Sequence, residues 1–259
     1  MIRHLSVRPV VKTSGSTNAE SADPQLAAAL RLDAASPTPE NHLRVAYEYV
    51  RLGILDTAYT HANRAVKQKP RFAEAHEVLT RIWREWGLPR LGIGPASRAV
   101  YFDPSSASAH NTTGTLLDAL GRSEEARRAF ARAAALDPRA AWALNNLCFV
   151  ELRMGRLPEA RRHCRAALVA DPDMTSARNN LALTFVASGD TVAATQAFVA
   201  TGNAAAAAYN RGIIHMGQRS YGRAAEAFAE AIAARPSFTA AKTRAHEARM
   251  LQLSSSSRD

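Results

Sequence analysis

Proline recurs at a fixed spacing through most of this chain, and that spacing constrains the fold more than any other feature. Pro70, Pro104, Pro138 and Pro172 are each 34 residues apart. Ahead of each proline lie two amphipathic segments of helical period, which is the arrangement of a repeated helical hairpin. A repeat of this length predicts a solenoid in which each unit packs only against its neighbours.

Equivalent positions of the repeats carry small or apolar residues. Before Pro138 these are Gly114, Leu117, Gly121, Ala126, Phe130 and Ala133, and before Pro172 they are Leu147, Cys148, Gly155, Ala160, Cys164 and Ala167. The pattern resembles the tetratricopeptide repeat family, in which a glycine turn joins helix A to helix B and a proline closes the unit. The resemblance implies an all-α, right-handed superhelical solenoid of about six repeats with a C-terminal capping helix. It is specific for fold and not for function, because such repeats serve as scaffolds in unrelated pathways.

The pattern also predicts the organisation of the chain. Residues 1–22 are polar and are expected to be disordered, and residues 23–38 are expected to form a short helix and a linker. The six repeats are predicted at 39–72, 73–106, 107–140, 141–174, 175–204 and 205–238. Residues 239–253 are predicted to be the capping helix, and 254–259 a disordered tail.

Two repeats depart from the pattern. In repeat two, Gly92, Gly94 and Pro95 occur where helix B should be continuous, so we expect a break near Gly92–Pro95 and a substantially buried Trp83. The break is interpreted either as a packing irregularity or as a hinge or partner-binding notch. Repeat five is four residues short and ends in Thr201-Gly202-Asn203 without a proline. This deletion is expected to remove about one turn of its helix B.

Charge and targeting signals limit the function classes. The net charge of +10 is spread along the chain without the concentrated basic stripe typical of nucleic-acid binding. The N-terminus has no apolar run of signal-peptide length, and no stretch is long enough to span a membrane. If Met1 is the native start, these features predict a cytoplasmic protein.

The two cysteines lie in the same repeat, Cys148 on helix A and Cys164 on helix B. Both occupy small-residue core positions, so we expect them to be close together, buried and reduced. A redox pair, or a metal site with His163, is the alternative interpretation.

Enzymatic signatures are missing. The sequence has no GxxxxGK[ST], GxSxG, HExxH or CxxC motif, so we predict a protein that is not an enzyme, with no cofactor, metal or small-molecule substrate. His42, His76 and His110 are 34 residues apart and form one repeat column. This spacing favours a packing or turn role over a ligand role.

The best candidate for a binding surface is the face of helices A that a superhelix of this family turns inward, its concave groove. The predicted groove residues are Asn111, Thr115, Trp142, Asn145, Asn146, Phe149, Asn179, Asn180, Leu183, Tyr209, Asn210, Ile213 and Met216. The recurring amides could pair with peptide bonds of any sequence, since an amide both donates and accepts hydrogen bonds. A structural role between neighbouring repeats is the alternative.

Two subfamilies can be compared with these residues. The dicarboxylate clamp of chaperone-binding repeats needs Lys and Arg, but the corresponding residues here are Asn111, Thr115 and Ser176. The stretch RNNLAL at 178–183, followed by Gly189-Asp190, is similar to repeats of bacterial pilus-assembly and secretion lipoproteins.

We therefore predict a non-catalytic protein-interaction scaffold whose partner is another protein or a peptide segment of it, held in an extended or helical form against helices A. One alternative is binding of an anionic surface or nucleic acid through helix B arginines, and another is a regulatory subunit of a separate enzyme. The arginines concerned are Arg127, Arg128, Arg132, Arg161, Arg162 and Arg165.

Overall fold

The computed structural model describes residues 23–198 and 204–256, and these residues form helices and turns with no strand. They fall into two units, the first ending at Leu136 and the second beginning at Asp137. The predicted all-α repeat fold is confirmed. None of the helices described is long and apolar enough to cross a membrane.

The first unit contains a leading helix and three helical hairpins, in which α2, α4 and α6 are the A helices. Its elements are α1 (Pro24–Ala35), α2 (Pro39–Arg51), α3 (Leu55–Gln68), α4 (Ala73–Glu85), a 3₁₀ turn (Pro89–Gly92), α5 (Ile93–Phe102), α6 (Ala107–Ala119) and α7 (Ser123–Leu136).

The second unit contains three hairpins and a terminal helix, and α8, α10 and α12 are its A helices. Its elements are α8 (Ala141–Arg153), α9 (Leu157–Ala170), α10 (Thr175–Ala187), α11 (Thr191–Phe198), α12 (Ala204–Gly217), α13 (Tyr221–Ala234) and α14 (Thr239–Ser256). The residues 1–22, Thr201-Gly202-Asn203 and 257–259, for which the sequence made predictions, lie outside the described part of the chain.

The helices begin where the sequence supplies caps. The Asp23 carboxylate accepts hydrogen bonds from the backbone N–H groups of Gln25 and Leu26, at 3.1 and 2.9 Å. The Thr38 hydroxyl caps α2 in the same way, accepting from Asn41 N–H at 3.2 Å. A proline follows each cap at the first helical position, where its missing N–H has no helical partner to lose.

In repeats three and six, a glycine on helix A faces a phenylalanine 16 positions later on helix B. A Cβ added to Gly114 would lie 2.5 Å from a ring carbon of Phe130, and one added to Gly212 would lie 2.4 Å from Phe228. Both distances are far below carbon–carbon contact, so the rings occupy the space that a side chain would need. The glycines therefore set how closely the two helices approach.

In repeat four the same two positions hold Cys148 and Cys164, which form a disulfide with a Cα–Cα distance of 5.2 Å. The expectation that they are close and buried is confirmed, since both are fully buried. The expectation that they are reduced is wrong. The hairpin holds the two Cα atoms within the range that a disulfide spans, so the bond forms without backbone movement. A metal site with His163 is not formed either, because His163 Nδ1 lies 2.6 Å from the buried carboxylate of Glu151.

Repeats two and five depart from the regular hairpin in the structure. Helix B of repeat two is broken as predicted, since the Pro89–Gly92 turn precedes α5, which begins at Ile93 and is 10 residues long. Trp83 is partly buried, with its ring centroid 5.3 Å from that of Tyr59 and 5.1 Å from that of Trp86. Helix α11 of repeat five is described over 8 residues, against 14 in α9.

The turn between helices A and B contains one residue in the left-handed backbone conformation, and five repeats have glycine at this position. Gly53, Gly87, Gly121, Gly155 and Gly189 have φ of 72 to 78°. Repeat six has Arg219 at the equivalent place, with φ of 57°. A side chain with a Cβ is strained in this conformation, whereas glycine is not.

We expect Arg219→Gly to raise the free energy of unfolding by about 0.5–1 kcal/mol, because relief of the φ strain exceeds the extra entropy that glycine gives the unfolded chain. Urea unfolding followed by circular dichroism measures the difference. Gly155→Ala, at the same turn of repeat four, is the matched control and should lower the stability. An Arg219→Gly protein no more stable than the wild type would contradict the prediction.

We expect Cys148→Ala/Cys164→Ala to lower the free energy of unfolding by about 3 kcal/mol under non-reducing conditions, since the disulfide restricts a loop of about 15 residues in the unfolded chain. Alanine already occupies both equivalent positions of repeat one, Ala46 and Ala62, so the substitution is tolerated by the hairpin. A reductant should destabilise the wild type by a similar amount and leave the double variant unchanged. Labelling of both cysteines in denaturant without reductant would show that the bond is absent.

Candidate functional site

Two aromatic side chains mark the open face of helix A in repeat four. Trp142 is 40% exposed and Phe149 is 39% exposed, and they lie seven residues apart on α8. Seven residues are about two helical turns, so both side chains lie on the same side of the helix. The opposite side of α8 is buried through Leu144 and Leu147. The Arg153 guanidinium lies 5.7 Å from the centre of the Phe149 ring, so this side of α8 combines aromatic and basic groups.

The asparagines predicted beside these aromatics have separate roles. Asn180 Nδ2 on α10 donates to Asn145 Oδ1 on α8 at 2.9 Å, so this pair joins neighbouring repeats. Asn146 and Asn179 are half-buried on the same two helices. The Asn179 Oδ1 atom is buried without a hydrogen-bond partner among the described residues. Asn145 and Asn180 therefore have the structural role between neighbouring repeats that was the alternative to peptide binding. The Oδ1 atom of Asn179 accepts no hydrogen bond from the described residues.

The predicted groove residues of repeat six belong mainly to the core. The Tyr209 ring lies between those of Phe228 and Phe238, at centroid distances of 5.4 and 5.0 Å. Asn210 is only 8% exposed, and Ile213 and Met216 pack against the Phe228 cluster, as Leu183 packs against that of repeat five. The expected row of amides along helices A does not extend to Asn210, because this residue is buried within α12.

In the first unit, Asn111 and Thr115 line an open cleft formed by the A helices α2, α4 and α6. Glu77, at the centre of this cleft, accepts hydrogen bonds from the Ser108 hydroxyl at 2.5 Å and the Thr112 hydroxyl at 2.9 Å. The cleft also contains Tyr47, Arg81 and Arg84.

Tyr47 is a cleft residue that the sequence prediction missed. Burial raises its pKa to about 12, and the neighbouring carboxylates of Glu77 and Glu74 act in the same direction. Its phenol is therefore a neutral hydrogen-bonding group at physiological pH. Tyr47 lies one full repeat before Arg81 and two before Thr115, so extending the repeat column to the first repeat would have found it.

Two of the six helix B arginines, Arg127 and Arg161, make contacts within the fold. Arg127 pairs with Glu124 at 2.8 Å within α7. Arg161 donates to the Thr184 hydroxyl at 3.2 Å and to the Thr184 carbonyl at 3.1 Å, and its guanidinium lies 4.8 Å from the centre of the Phe185 ring. These contacts tie α9 to α10 and weaken the case for a basic binding surface.

The histidine column has the structural role predicted for it at two of its three positions. His76 Nε2–H donates to the Pro70 carbonyl at 2.9 Å, and His110 Nε2–H donates to the Pro104 carbonyl at 3.1 Å. His42 differs, since its Nδ1 lies 2.6 Å from the buried carboxylate of Asp33. Asp33, His42 and His61 are the group of described residues whose donor atoms lie close enough to share a metal ion.

Comparison with known proteins agrees with this architecture. The tetratricopeptide repeat family matches residues 150–201 and 192–238. No curated protein sequence matches the chain. The two matches together span residues 150–238, so about a third of the chain is similar to this family at the level of sequence.

Several solved structures share the fold. PilW, a type IV pilus biogenesis factor, is 22% identical with a TM-score of 0.69, over 79% of this chain and 97% of PilW. PilF of Pseudomonas aeruginosa is 19% identical with a TM-score of 0.66, over 82% of this chain and 96% of PilF. A chain of the APC/C hetero-tetramer Cut9–Hcn1 is 17% identical with a TM-score of 0.69, over 86% of this chain and 45% of that chain. This protein thus spans less than half of the last, and at such identities the likeness shows the fold alone.

We expect Asn180→Ala to lower the free energy of unfolding by about 0.5–1.5 kcal/mol, because it removes the hydrogen bond to Asn145 between neighbouring repeats. Thermal or urea unfolding measures the loss. Asn179→Ala, on the same helix, is the comparison, because Asn179 Oδ1 has no hydrogen-bond partner among the described residues. If Asn180→Ala is as stable as the wild type, the amide pair has no structural role.

Proposed function

We propose that this protein is a non-catalytic scaffold that holds an extended or helical peptide segment of another protein against α8 and α10. Tetratricopeptide repeats generally mediate protein–protein interaction, which supports the class of function. The observation that carries the particular surface is the pair of exposed aromatics, Trp142 and Phe149.

Aromatic side chains are the anchors that dominate many interfaces, because they bury a large rigid area at little entropic cost. Trp142 and Phe149 are separated by about 10 Å along α8, given the helical rise per residue. Three residues of an extended peptide span about the same distance. The surface therefore suits a partner segment with two bulky apolar residues three positions apart, or two turns apart if the segment is helical.

The neighbouring amide of Asn179 adds a contact that does not depend on the partner's sequence. Asn179 lies half-buried on the neighbouring helix α10, where its amide nitrogen can donate to a peptide carbonyl, whereas its Oδ1 atom is buried. One such hydrogen bond contributes roughly 0.5–1.5 kcal/mol. Affinity would therefore come mainly from the aromatic anchors, and the amide would orient the backbone.

In the first unit, the cleft lined by Asn111 and Thr115 offers a more polar surface of the same kind. Glu77 and Arg81 supply opposite charges there, and Tyr47 supplies a neutral phenol. We propose that this cleft binds a peptide segment with charged side chains, whereas the α8–α10 face binds an apolar one.

The test of the α8–α10 face is a peptide-display selection against the full chain, followed by fluorescence anisotropy with the selected peptides. Trp142→Ala and Phe149→Ala should each weaken binding by about 30-fold, which corresponds to about 2 kcal/mol. Asn179→Ala should weaken it several-fold. Tyr101→Ala is the matched control, because Tyr101 is an aromatic residue that is 80% exposed on helix B of repeat two.

The charge-reversal variant Arg162→Glu/Arg165→Glu separates the proposal from its main alternative, since both arginines are exposed on α9. Binding should survive this change. If it is lost while Trp142→Ala and Phe149→Ala bind normally, the basic surface is the site. A selection that yields no binding peptide would also exclude the proposal.

A further inference from the structure

A buried polar cluster lies where the leading helix meets the first repeat. Asp33, His42 and His61 are 8%, 5% and 8% exposed, and they come from α1, α2 and α3 respectively. His42 Nδ1 lies 2.6 Å from Asp33 Oδ1, and His61 Nδ1 lies 3.5 Å from Asp33 Oδ2. The surrounding core is apolar, with Leu26, Ala29 and Tyr49 among its buried residues.

This cluster has the electrostatics of a cation site. A buried carboxylate is costly unless a positive charge or several hydrogen bonds compensate it. Among the described residues, the cationic or potentially cationic groups within ion-pair distance of Asp33 are the two imidazoles, and no lysine or arginine is among them. Both imidazoles approach the carboxylate through Nδ1, so three donor atoms converge on one point from three helices.

We propose that Asp33, His42 and His61 bind a divalent transition-metal ion, with zinc as the best fit, and that this ion fastens α1 to the first repeat. One ligand atom from each of the three residues lies within 4.8 Å of the others. Ligand atoms of a tetrahedral zinc site are about 3.3 Å apart, since zinc–nitrogen and zinc–oxygen bonds are about 2.0–2.2 Å. Small side-chain rotations are enough to close the cluster around an ion.

The donor set selects the class of metal. Two imidazoles and one carboxylate suit zinc and its neighbours in the first transition series, whereas magnesium and calcium prefer oxygen ligands alone. A water molecule would complete the tetrahedron. Because the three side chains are less than a tenth exposed, the site is shielded from substrates, and the ion has a structural role.

The ligand role sets His42 apart from the other histidines of its column. His76 is 2% exposed, more buried than His42, and its Nε2–H donates to the Pro70 carbonyl. No carboxylate of the described residues lies within ion-pair distance of it. His76 is therefore the matched control for substitution of a buried column histidine that binds no metal.

The test uses the full chain, freed of any affinity tag and treated with a chelator, and titrates it with Co²⁺. We expect one Co²⁺ per chain with the visible absorption bands of four-coordinate cobalt, displaced by Zn²⁺ and not by Mg²⁺. Zinc at about 100 times its Kd should raise the Tm by about 5–10 °C.

His42→Gln should weaken Co²⁺ binding by at least about 100-fold, and His76→Gln should leave it unchanged. Asp33→Asn is a second, nearly isosteric variant that keeps the packing if His42→Gln fails to fold, and it should also lose the ion. Absence of the cobalt bands in the wild type would overturn the proposal. Equal loss of binding in His42→Gln and His76→Gln would overturn it as well.

Discussion

The close approach of helix A to helix B within each hairpin is the contact on which the rest of the structure depends. Gly114 and Gly212 leave room for the rings of Phe130 and Phe228, and a methyl group at either position would collide with the ring. A solenoid unit is stabilised by this hairpin contact and by contacts with its neighbours. One side of each helix A packs against helix B of the same hairpin. Contacts with other molecules would therefore use a different side of helix A.

In repeat four, the position equivalent to Gly114 and Gly212 lies next to the exposed aromatic residue Phe149. Cys148 takes the place of the small residue, and its disulfide to Cys164 holds α8 against α9. Phe149 is the next residue on α8, and it is exposed while Cys148 is fully buried. The covalent bond thus restricts the turn of helix that carries Phe149, and for the proposed binding role this would lower the entropy lost on association. A disulfide of this kind persists in oxidising surroundings.

Helix α1 packs against the first repeat with both apolar and polar contacts. Leu26 and Ala29 are buried against the repeat, and the Asp33 carboxylate meets His42 and His61 at the same boundary. Such packing covers an apolar face of the repeat that would otherwise be exposed. A bound ion at this place would make the cover dependent on metal as well as on packing.

The helical hairpins can be predicted from the sequence, because the 34-residue period, the turn glycines and Pro95 act on the backbone locally. The placement of Trp142 and Phe149 on one face can be predicted as well, since helical periodicity places residues seven apart on the same side. Which side chains of neighbouring helices meet depends on the tertiary fold. It paired Asn145 with Asn180, buried Asn210, joined Cys148 to Cys164 and brought Asp33 to the histidines. The physical reason is that these outcomes depend on distances between helices that are remote in sequence, and no local pattern carries those distances.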